Sequence, residues 1–345
     1  MTGSGGLIGS EACNFFLNKG YEVIGIDNNL RKYFFGEKGD TSANLHELEK
    51  LNNFTNFSFD LRNREEVLKF MKEQAPFDLI IHTAAQPAHD WAVKEPFVDF
   101  DVNANGTFNM LEAFRLYSPT TFVYTSTSKV YGANPNKAKL IEKEKRYDYA
   151  EDQEILGITT KGVNENLSID NCIHSLFGAS KLSADIVCQE YGKYFNLNIG
   201  IFRPACLTGP KHSAVELHGF LNYVIDCAAN KKKYTIFGYK GKQVRGQFHA
   251  YDVVTAIDEF YKNPKQGEVY NLGAGKSNSI SILEVIDILK NEYNLDLDYT
   301  YEEKNRIGDH IVYYNDNSKF EKDYPNWKLK YNIKQIIKEI VESRK

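Results

Sequence analysis

The chain has 345 residues, of which 42% are hydrophobic and 26% are charged. This length and composition allow a sizeable core and favour two lobes. The formal net charge of −4 argues against a nucleic-acid partner, because such proteins usually carry a basic face. No apolar run approaches the roughly 20 residues of a membrane span, and the five cysteines lack metal-ligand spacing. We therefore expect a cytoplasmic protein that binds neither metals, membranes nor nucleic acid.

The chain opens with a glycine-rich turn. Gly3, Gly6 and Gly9 follow the Gly-x-x-Gly-x-x-Gly spacing of a dinucleotide-binding turn. Residues without side chains let the backbone approach a pyrophosphate, and the N-terminus of the next helix favours its negative charge. A strand of about five residues normally precedes this turn, but only Met1 and Thr2 do so here. Since a parallel sheet needs its central strand, we expect the natural start to lie upstream of Met1.

Apolar strand patterns alternate with helical patterns along the first part of the chain. The periodicity predicts strands at 21–26, 57–59, 78–83 and 122–125, and helices at about 7–19, 64–74 and 98–117. Such alternation predicts a parallel sheet with helices on both faces. We therefore predict an α/β protein, with a Rossmann-type doubly wound sheet and a smaller α/β substrate lobe.

A carboxylate ends the second predicted strand. Asp27 lies about 20 residues beyond the glycine turn, where an acidic side chain accepts hydrogen bonds from the ribose hydroxyls of a dinucleotide. A carboxylate at this position would repel a 2′-phosphate, so the sequence favours NAD over NADP as the cofactor. Arg31 and Lys32 follow closely and keep NADP open as the alternative.

Three stretches together resemble the extended short-chain dehydrogenase/reductases. They are the glycine turn, Tyr124-Thr125-Ser126-Thr127-Ser128-Lys129-Val130-Tyr131-Gly132, and Phe177-Gly178-Ala179-Ser180-Lys181. The chain is most similar to nucleotide-sugar epimerases of the CDP-tyvelose (CDP-paratose) 2-epimerase type, through 127–132, an insertion at about 133–174, and 241–245. This resemblance runs over nearly the whole chain. It implies epimerisation at C2 of a CDP-hexose, by transient oxidation of a hydroxyl with bound NAD.

Three residues carry out catalysis in this family: a Ser or Thr at the end of a strand, a tyrosine, and a lysine four residues after the tyrosine. The tyrosinate removes the hydroxyl proton, and the lysine binds the nicotinamide ribose. By position, Thr127 matches the hydroxyl residue and Lys181 matches the lysine, which shares a helix face with residue 177. Phe177 matches the tyrosine and has no proton to exchange. Because acid–base catalysis contributes about 10²–10⁴-fold, this difference bears directly on the reaction.

Three explanations of Phe177 stay open at the level of sequence. In the first, another group acts as the base: Lys181, His89, His174 or a relayed water. In the second, the chain is a substituted variant that holds substrate without turnover. In the third, it binds NAD and a nucleotide sugar without catalysis. Phenylalanine fills the volume of the tyrosine ring, so folding does not separate the three.

The resemblance also implies binding residues. For the cofactor they are Gly3, Gly6, Leu7, Ile8, Gly9, Asp27, Asn28, Arg31, Asp60, Leu61, Ala84, Ala85, Gln86, Asn103, Thr125, Lys181 and Pro204. For the nucleotide sugar they are Gln86, His89, Thr127, Cys206, His218, Arg245, Arg306 and Asp309. Arginine suits the diphosphate because its planar fork pairs two oxygens. The family carries aspartate directly after the first arginine, where this chain has Gly246.

The same resemblance implies domain boundaries and a subunit arrangement. The NAD domain is expected to comprise 1–204 plus about 235–265, and the nucleotide-sugar lobe about 205–234 plus 266–345. Helices at about 98–117 and 178–194 resemble those that pair subunits in this superfamily, which implies a homodimer. A nucleotide-sugar dehydrogenase or 4,6-dehydratase is the nearest enzymatic alternative. In dehydratases of this superfamily the two residues directly after the threonine are Asp-Glu, whereas this chain has Ser128-Lys129 at those positions.

Overall fold

The structure is a computed structural model in which residues 1–212, 219–305 and 308–344 are described. They form two compact units. The first unit comprises Met1–Val130, Leu176–Arg203 and Ala250–Tyr270. The second unit comprises Tyr131–Ser175, Pro204–His249 and Asn271–Lys345.

The described residues contain helices and strands that alternate along much of the chain. The α-helices are α1 (Leu7–Asn18), α2 (Leu30–Phe35), α3 (Ser42–Glu49), α4 (Arg64–Gln74), α5 (His89–Lys94), α6 (Pro96–Phe100), α7 (Gly106–Tyr117), α8 (Ser175–Tyr194), α9 (Phe220–Ala229), α10 (Ala250–Lys262), α11 (Ile282–Tyr293), α12 (Ser318–Asp323) and α13 (Ile333–Glu342). The β-strands are β1 (Val23–Ile26), β2 (Phe54–Phe57), β3 (Ile80–His82), β4 (Thr121–Thr125), β5 (Leu140–Glu142), β6 (Tyr147–Tyr149), β7 (Ile158–Thr159), β8 (Gly162–Val163), β9 (Asn198–Pro204), β10 (Cys206–Thr208), β11 (Tyr234–Phe237), β12 (Val244–His249), β13 (Glu268–Leu272), β14 (Ser279–Ser281), β15 (Tyr299–Glu302) and β16 (Val312–Tyr313).

A parallel sheet forms the centre of the first unit. β1 pairs with β2, while β3 pairs with β4 and β4 with β9, all in parallel. β13 follows β9 in the strand order. Apolar side chains of α4, α7 and α8 join those of the strands in one core cluster, to which Phe70, Phe114, Phe122 and Cys188 belong. The predicted Rossmann-type α/β fold is confirmed.

Thr2 takes the place of a full strand between β1 and β3. It bridges Ile26 on one side and His82 on the other. The Ile26 amide donates to the carbonyl oxygen of Met1 at 2.8 Å. The Met1 ammonium donates to the carbonyl oxygen of Ile24 at 2.7 Å, and burial lowers its pKa. An apolar groove beside this short connection is lined by Met1, Thr2, Ile24, Ile26, Phe70, Met71, Phe77, Leu79, Ile80 and Met110.

Two predicted elements of the first unit differ in the structure. The strand predicted at 57–59 lies earlier, because Phe54–Phe57 is the segment in register with β1. The helix predicted at 98–117 is divided by a π-helical turn at Asp101–Asn105. Such turns often lie at functional sites. This one carries Asn103, whose side chain hydrogen-bonds the loop after β3.

The second unit contains a mixed sheet. β12 is its centre and pairs in parallel with β10 and β16, and antiparallel with β14. β11 pairs with β15 in a separate parallel ribbon. Apolar residues of α9, α11 and α13 pack with β11 in one core cluster, which includes Val224, Ile236, Val285 and Ile337.

The structure divides the chain at other places than the sequence suggested. Residues 131–175 and 235–249 belong to the second unit. The insertion joins that unit through hydrogen bonds: the Tyr149 hydroxyl donates to the carbonyl oxygen of Val312 at 2.8 Å, and Arg146 donates to Ser279 Oγ at 2.7 Å. β12 belongs there because all its pairing partners do. The functional role of each unit stays a proposal.

Gly9 allows the close packing of the glycine turn against α1. A Cβ atom at residue 9 would lie 1.9 Å from the carbonyl oxygen of Gly3. We expect Gly9→Ala to lower the free energy of unfolding by at least about 2 kcal/mol, because the backbone must shift to relieve the clash. At Gly106 an added Cβ meets its nearest atoms at 3.5 Å, which is ordinary contact. Gly106→Ala is the control, and urea denaturation should show a change within about 1 kcal/mol. Equal losses in both variants would contradict this packing.

Candidate active site

The glycine turn and Asp27 meet at the carboxyl end of β1. Gly3 has φ +69°, a conformation that side chains disfavour. Asp27 Oδ2 accepts from the Gly5 amide at 2.8 Å, and Asp27 Oδ1 accepts from the Asn29 amide at 2.7 Å. Burial raises the pKa of Asp27, and these two hydrogen bonds act in the opposite direction. The carboxylate thus fixes the turn at the position where ribose binding is predicted.

Further predicted cofactor residues lie near the ends of β1 and β2. Asn28 is exposed, and its Oδ1 accepts from the Leu30 amide at 3.2 Å. The Arg31 guanidinium stacks over the Phe35 ring at 4.7 Å, and burial lowers the pKa of Arg31 to about 10. Asp60 pairs with Arg62 Nη2 at 2.7 Å. Burial raises the pKa of Asp60, but the bonds from Arg62 outweigh it and lower the pKa.

A buried polar network holds the loop after β3. Asn103 Nδ2 donates to the carbonyl oxygen of Gln86 at 3.0 Å, and Asn103 Oδ1 accepts from the Gln86 amide at 2.9 Å. Gln86 Nε2 donates to Asp99 at 2.6 Å and to the carbonyl oxygen of Ala88 at 2.8 Å. The Ser180 hydroxyl also donates to Asp99, at 2.6 Å. The side chain of Gln86 is therefore engaged within the protein, where it positions the loop.

Lys181 is a buried cation of this unit. Its Nζ donates to the carbonyl oxygen of Thr125 at 2.9 Å and lies 4.3 Å from the centre of the Tyr124 ring. Burial lowers the pKa of Lys181 to about 8, and the nearby carboxylates Asp185 and Asp99 oppose this shift. Thr125 Oγ1 is buried and has no hydrogen-bond partner within the described residues. An unpaired hydroxyl beside a buried ammonium suits a polar ligand.

A buried ion pair fixes α8 to the sheet. Arg203 Nη2 donates to Asp185 Oδ1 at 2.7 Å and Arg203 Nε to Asp185 Oδ2 at 2.9 Å. The Ser126 hydroxyl donates to the same carboxylate at 2.5 Å. The sequence reading did not single out Asp185 or Asp99. One feature of the sequence could have indicated Asp185: it lies four residues after Lys181 within a largely apolar stretch of helix.

Thr127 and Phe177 complete the positions matched by sequence in the first unit. Thr127 follows β4, and its Oγ1 accepts from the Lys129 amide at 3.3 Å. Phe177 is only 6% exposed and lies one helical turn before Lys181 on α8. The His89 ring lies 4.9 Å from the Phe177 ring, with the ring planes at 68°. The first unit thus supplies a hydroxyl after β4, an ammonium on α8 and an imidazole packed against the Phe177 ring.

The second unit brings together two residues predicted to bind substrate. The Arg245 guanidinium lies 3.6 Å from the Asp309 carboxylate. An added Cβ at Gly246 would lie 3.1 Å from the Tyr314 Cβ, so glycine fits there without a shift of that tyrosine. Cys206 begins β10. Pro204 ends β9, and the predicted His218 and Arg306 lie outside the described residues.

Two further features of residues 1–212, 219–305 and 308–344 concern metal binding and membrane insertion. Within these ranges no group of three or more His, Cys, Asp or Glu side chains is arranged to hold a metal ion. No helix of the same ranges combines the length and apolar character that crossing a membrane requires.

Comparison with known proteins identifies the class to which this fold and site belong. Residues 1–273 match the NAD dependent epimerase/dehydratase family. The chain is 32% identical to the CDP-paratose 2-epimerase of Salmonella typhi over 308 residues, which cover 87% of this chain and 86% of that protein. It is 28% identical to the UDP-glucuronate 4-epimerase of Thermodesulfobacterium geofontis over 292 residues, which cover 84% of this chain and 79% of that protein.

Solved structures share the fold across the whole chain. A tyrosine-to-phenylalanine mutant of the UDP-glucuronic acid 4-epimerase of Bacillus cereus, in complex with a fluorinated substrate analogue and NAD, superposes with a TM-score of 0.79 at 24% identity. The alignment covers 99% of this chain and 97% of that one. The UDP-glucose 4-epimerase of Thermotoga maritima has a TM-score of 0.76 at 22% identity, with coverages of 99% and 96%.

The chain belongs to the NAD-dependent epimerase/dehydratase family, within the extended short-chain dehydrogenase/reductases. NAD is the cofactor of this family, and its relatives act on nucleotide sugars. The residues of this chain fit NAD, because a side chain at Gly3 or Gly9 would fill the turn and Thr125 Oγ1 has an unused hydrogen-bonding capacity. When bound, NAD supplies reversible acceptance of a hydride.

The buried charge of Lys181 gives a test that does not depend on turnover. Its pKa is lowered in the folded state, so the folded protein is destabilised while Lys181 is charged, and that cost disappears as pH rises from about 8 towards 10.5. We expect Lys181→Met to raise the free energy of unfolding at pH 7 by about 1–3 kcal/mol. The gain should shrink at pH 10.

Urea denaturation at the two pH values measures this effect. Lys193→Met is the matched control, because Lys193 is exposed on the same helix. It should change stability by less than about 0.5 kcal/mol at either pH. A Lys181→Met variant that is less stable than the parent at pH 7 would contradict the assigned burial cost.

Proposed function

We propose that the protein is an NAD-dependent nucleotide-sugar epimerase that inverts C2 of a CDP-hexose. The observation that carries the proposal is the 32% identity to a CDP-paratose 2-epimerase over 87% of the chain. The geometry supports the oxidation step, since a buried cation and strand-end hydroxyls lie beside the expected nicotinamide position. The first unit is proposed to bind NAD and the second to bind the nucleotide sugar.

The roles of individual residues follow from their contacts. Lys181 is proposed to donate to the nicotinamide ribose, and Thr127 to hydrogen-bond the reacting hydroxyl. Thr125 Oγ1 is oriented by the backbone of β4 and offers a further donor to the cofactor. Arg245 is held beside Asp309 and is proposed to pair with the diphosphate through its planar fork. Asp27 is proposed to accept from the adenosine ribose.

A 4,6-dehydratase is the second enzymatic candidate, because one of the relatives is a dTDP-D-glucose 4,6-dehydratase of Dictyostelium discoideum, 30% identical over 278 residues. Dehydration needs an acid and a base beyond those of oxidation. At the positions after Thr127 this chain has Ser128, which is buried, and Lys129, and neither is a carboxylate. A non-catalytic binding protein is the third candidate, and Phe177 is the residue that favours it.

One experiment separates the three candidates, because each predicts a different outcome. The protein is incubated with CDP-hexoses that carry deuterium at C2, and the products are analysed by NMR and mass spectrometry. The proposal predicts a C2-inverted sugar that retains its deuterium, because the hydride leaves and returns without exchange with water. A product lighter by one water would show the dehydratase. Binding of NAD and CDP-hexose without conversion, with activity gained on Phe177→Tyr, would show the binding protein.

The protein is also proposed to be a homodimer that pairs through α7 and α8. Apolar side chains are exposed along these helices and just before α7: Phe97 is 87% exposed, Phe108 42%, Ile186 41% and Tyr194 79%. Light scattering should give twice the chain mass of 39.5 kDa. Ile186→Glu should shift this mass towards the monomer, whereas Leu156→Glu, at another exposed apolar residue, should not. A monomeric parent protein would contradict the proposal.

A further inference from the structure

Phe177 leaves the proton-transfer role of its position unfilled. Phe177 is a buried residue of α8, and its side chain carries no group that exchanges a proton. The sugar hydroxyl must nevertheless lose a proton when its carbon loses a hydride. A group that titrates near neutral pH and reaches the end of the Phe177 ring is therefore required if the chain is an epimerase.

His89 is the titratable residue that packs against the Phe177 ring. The two ring centres are 4.9 Å apart, and the planes meet at 68°, an edge-to-face contact. In a tyrosine the hydroxyl oxygen stands one bond beyond such a ring. Because the His89 ring centre lies 4.9 Å from the Phe177 ring centre, the imidazole stands beside the position that the ring of a tyrosine would occupy. His89 is half-buried, so its ring is partly accessible to a ligand.

The position of His89 is fixed from two sides. On the chain before it, both backbone polar groups of Ala88 are bonded to Gln86: the Ala88 amide donates to Gln86 Oε1 at 2.5 Å, and the Ala88 oxygen accepts from Gln86 Nε2 at 2.8 Å. Gln86 is tied in turn to Asp99 at 2.6 Å. A loop held in this way presents the next side chain in one orientation, which catalysis requires.

An aromatic cluster fixes the chain after His89. The Trp91 ring lies 4.6 Å from the Phe34 ring and 5.5 Å from the Tyr33 ring, both on α2. Each such pair is worth about 0.5–1.5 kcal/mol beyond burial. α5 is therefore docked on α2, the helix that follows Asp27, and His89 is the residue of α5 that meets α8. Trp91 acts as a positioning residue for His89.

Lys181 is less suited to the vacant role. Lys181 as a residue is only 4% exposed, and its Nζ donates to the carbonyl oxygen of Thr125 at 2.9 Å. An ammonium that binds a backbone oxygen and the nicotinamide ribose must stay protonated to keep those bonds. His174, the other histidine near α8, has its ring 3.8 Å from Cys172 Sγ.

We infer that His89 is the acid–base residue of this protein, in place of the tyrosine that Phe177 replaces; this inference rests on the proposed epimerase function. In the oxidation, the hydroxyl proton passes to a ring nitrogen of His89, which becomes imidazolium as the C–O bond becomes a carbonyl. The hydride of the same carbon would go to NAD, which when bound supplies reversible hydride acceptance, and its return to the opposite face of the carbonyl would give the epimer. His89 gives its proton back to the oxygen, so protein and cofactor end unchanged.

The pH dependence of kcat/KM separates His89 from Lys181. A base must be unprotonated, so kcat/KM falls as pH drops through its pKa. Imidazoles as a class titrate below amines, and burial lowers the pKa of Lys181 to about 8, so a fall well below pH 8 indicates a histidine and a fall at about 8 indicates Lys181. The charged groups on elements around His89 are Asp90 and Lys94 on α5, Arg31 and Lys32 on α2, and Lys181 on α8.

Four variants test the assignment. His89→Asn should lower kcat by about 10²–10⁴-fold and leave the dissociation constant of the CDP-hexose within about threefold. Phe177→Tyr in the His89→Asn background should raise kcat at least tenfold above that of His89→Asn alone, because the tyrosine then serves as the acid–base residue. His174→Asn and the distant His46→Gln should keep kcat within about threefold. Full activity of His89→Asn, or the large loss in His174→Asn instead, would overturn the assignment.

A binding measurement makes the result independent of turnover. In the NAD-bound protein with carbon-13 labelled histidines, the His89 signal is identified by its loss in His89→Asn. CDP-glucose should shift the titration of this signal, and CDP-2-deoxyglucose, which lacks the hydroxyl, should not. If both sugars bind and neither changes the titration of the His89 signal, the inference is overturned. A selective shift without turnover of any CDP-hexose would refute the epimerase and leave the contact of His89 with the hydroxyl intact.

Discussion

The burial of the Lys181 ammonium is the constraint around which the first unit is arranged. A charge in this position is costly, and the protein meets the cost with the carbonyl oxygen of Thr125, the face of Tyr124 and two nearby carboxylates. One of these carboxylates, Asp185, is held by Arg203 and Ser126. The same contacts fasten α8 to the ends of β4 and β9. The helix that carries Phe177 therefore has one position relative to the strand-end hydroxyls.

This arrangement explains why a phenylalanine is tolerated at residue 177. The position of α8 depends on the hydrogen bonds of Lys181, Asp185 and Ser180. None of these bonds needs a hydroxyl at position 177. The binding parts of the site thus persist without the tyrosine. Proton transfer is a separable task, and we propose that His89 performs it, since the chain before it is anchored through Gln86 and α5 is anchored through Trp91.

The sequence predicted the parts of this molecule that depend on local pattern. Alternating apolar runs indicated the Rossmann-type sheet, and the spacing of Gly3, Gly9 and Asp27 indicated the cofactor turn that the family match supports. It did not reveal the π-helical turn at Asp101–Asn105, because a single inserted residue leaves the helical periodicity almost unchanged.

The carboxylates Asp99 and Asp185 were missed for a different reason. Their importance depends on partners far along the chain, such as Ser180 for Asp99 at a separation of 81 residues. The contact between His89 and Phe177 likewise joins two helices, α5 and α8, that are far apart in the sequence. Sequence motifs mark which residue types are present or replaced, whereas the group that compensates for a replacement is found only from proximity in the fold.

A crystal structure of the ternary complex with NAD and a CDP-hexose tests the central claim most directly. The quantity to measure is the distance from the oxygen of the C2 hydroxyl to the nearest titratable atom. The account predicts that a ring nitrogen of His89 lies within about 2.6–3.2 Å of this oxygen, with Lys181 on the nicotinamide ribose. Lys181 Nζ at that distance from the hydroxyl, with His89 turned away from the sugar, would contradict it.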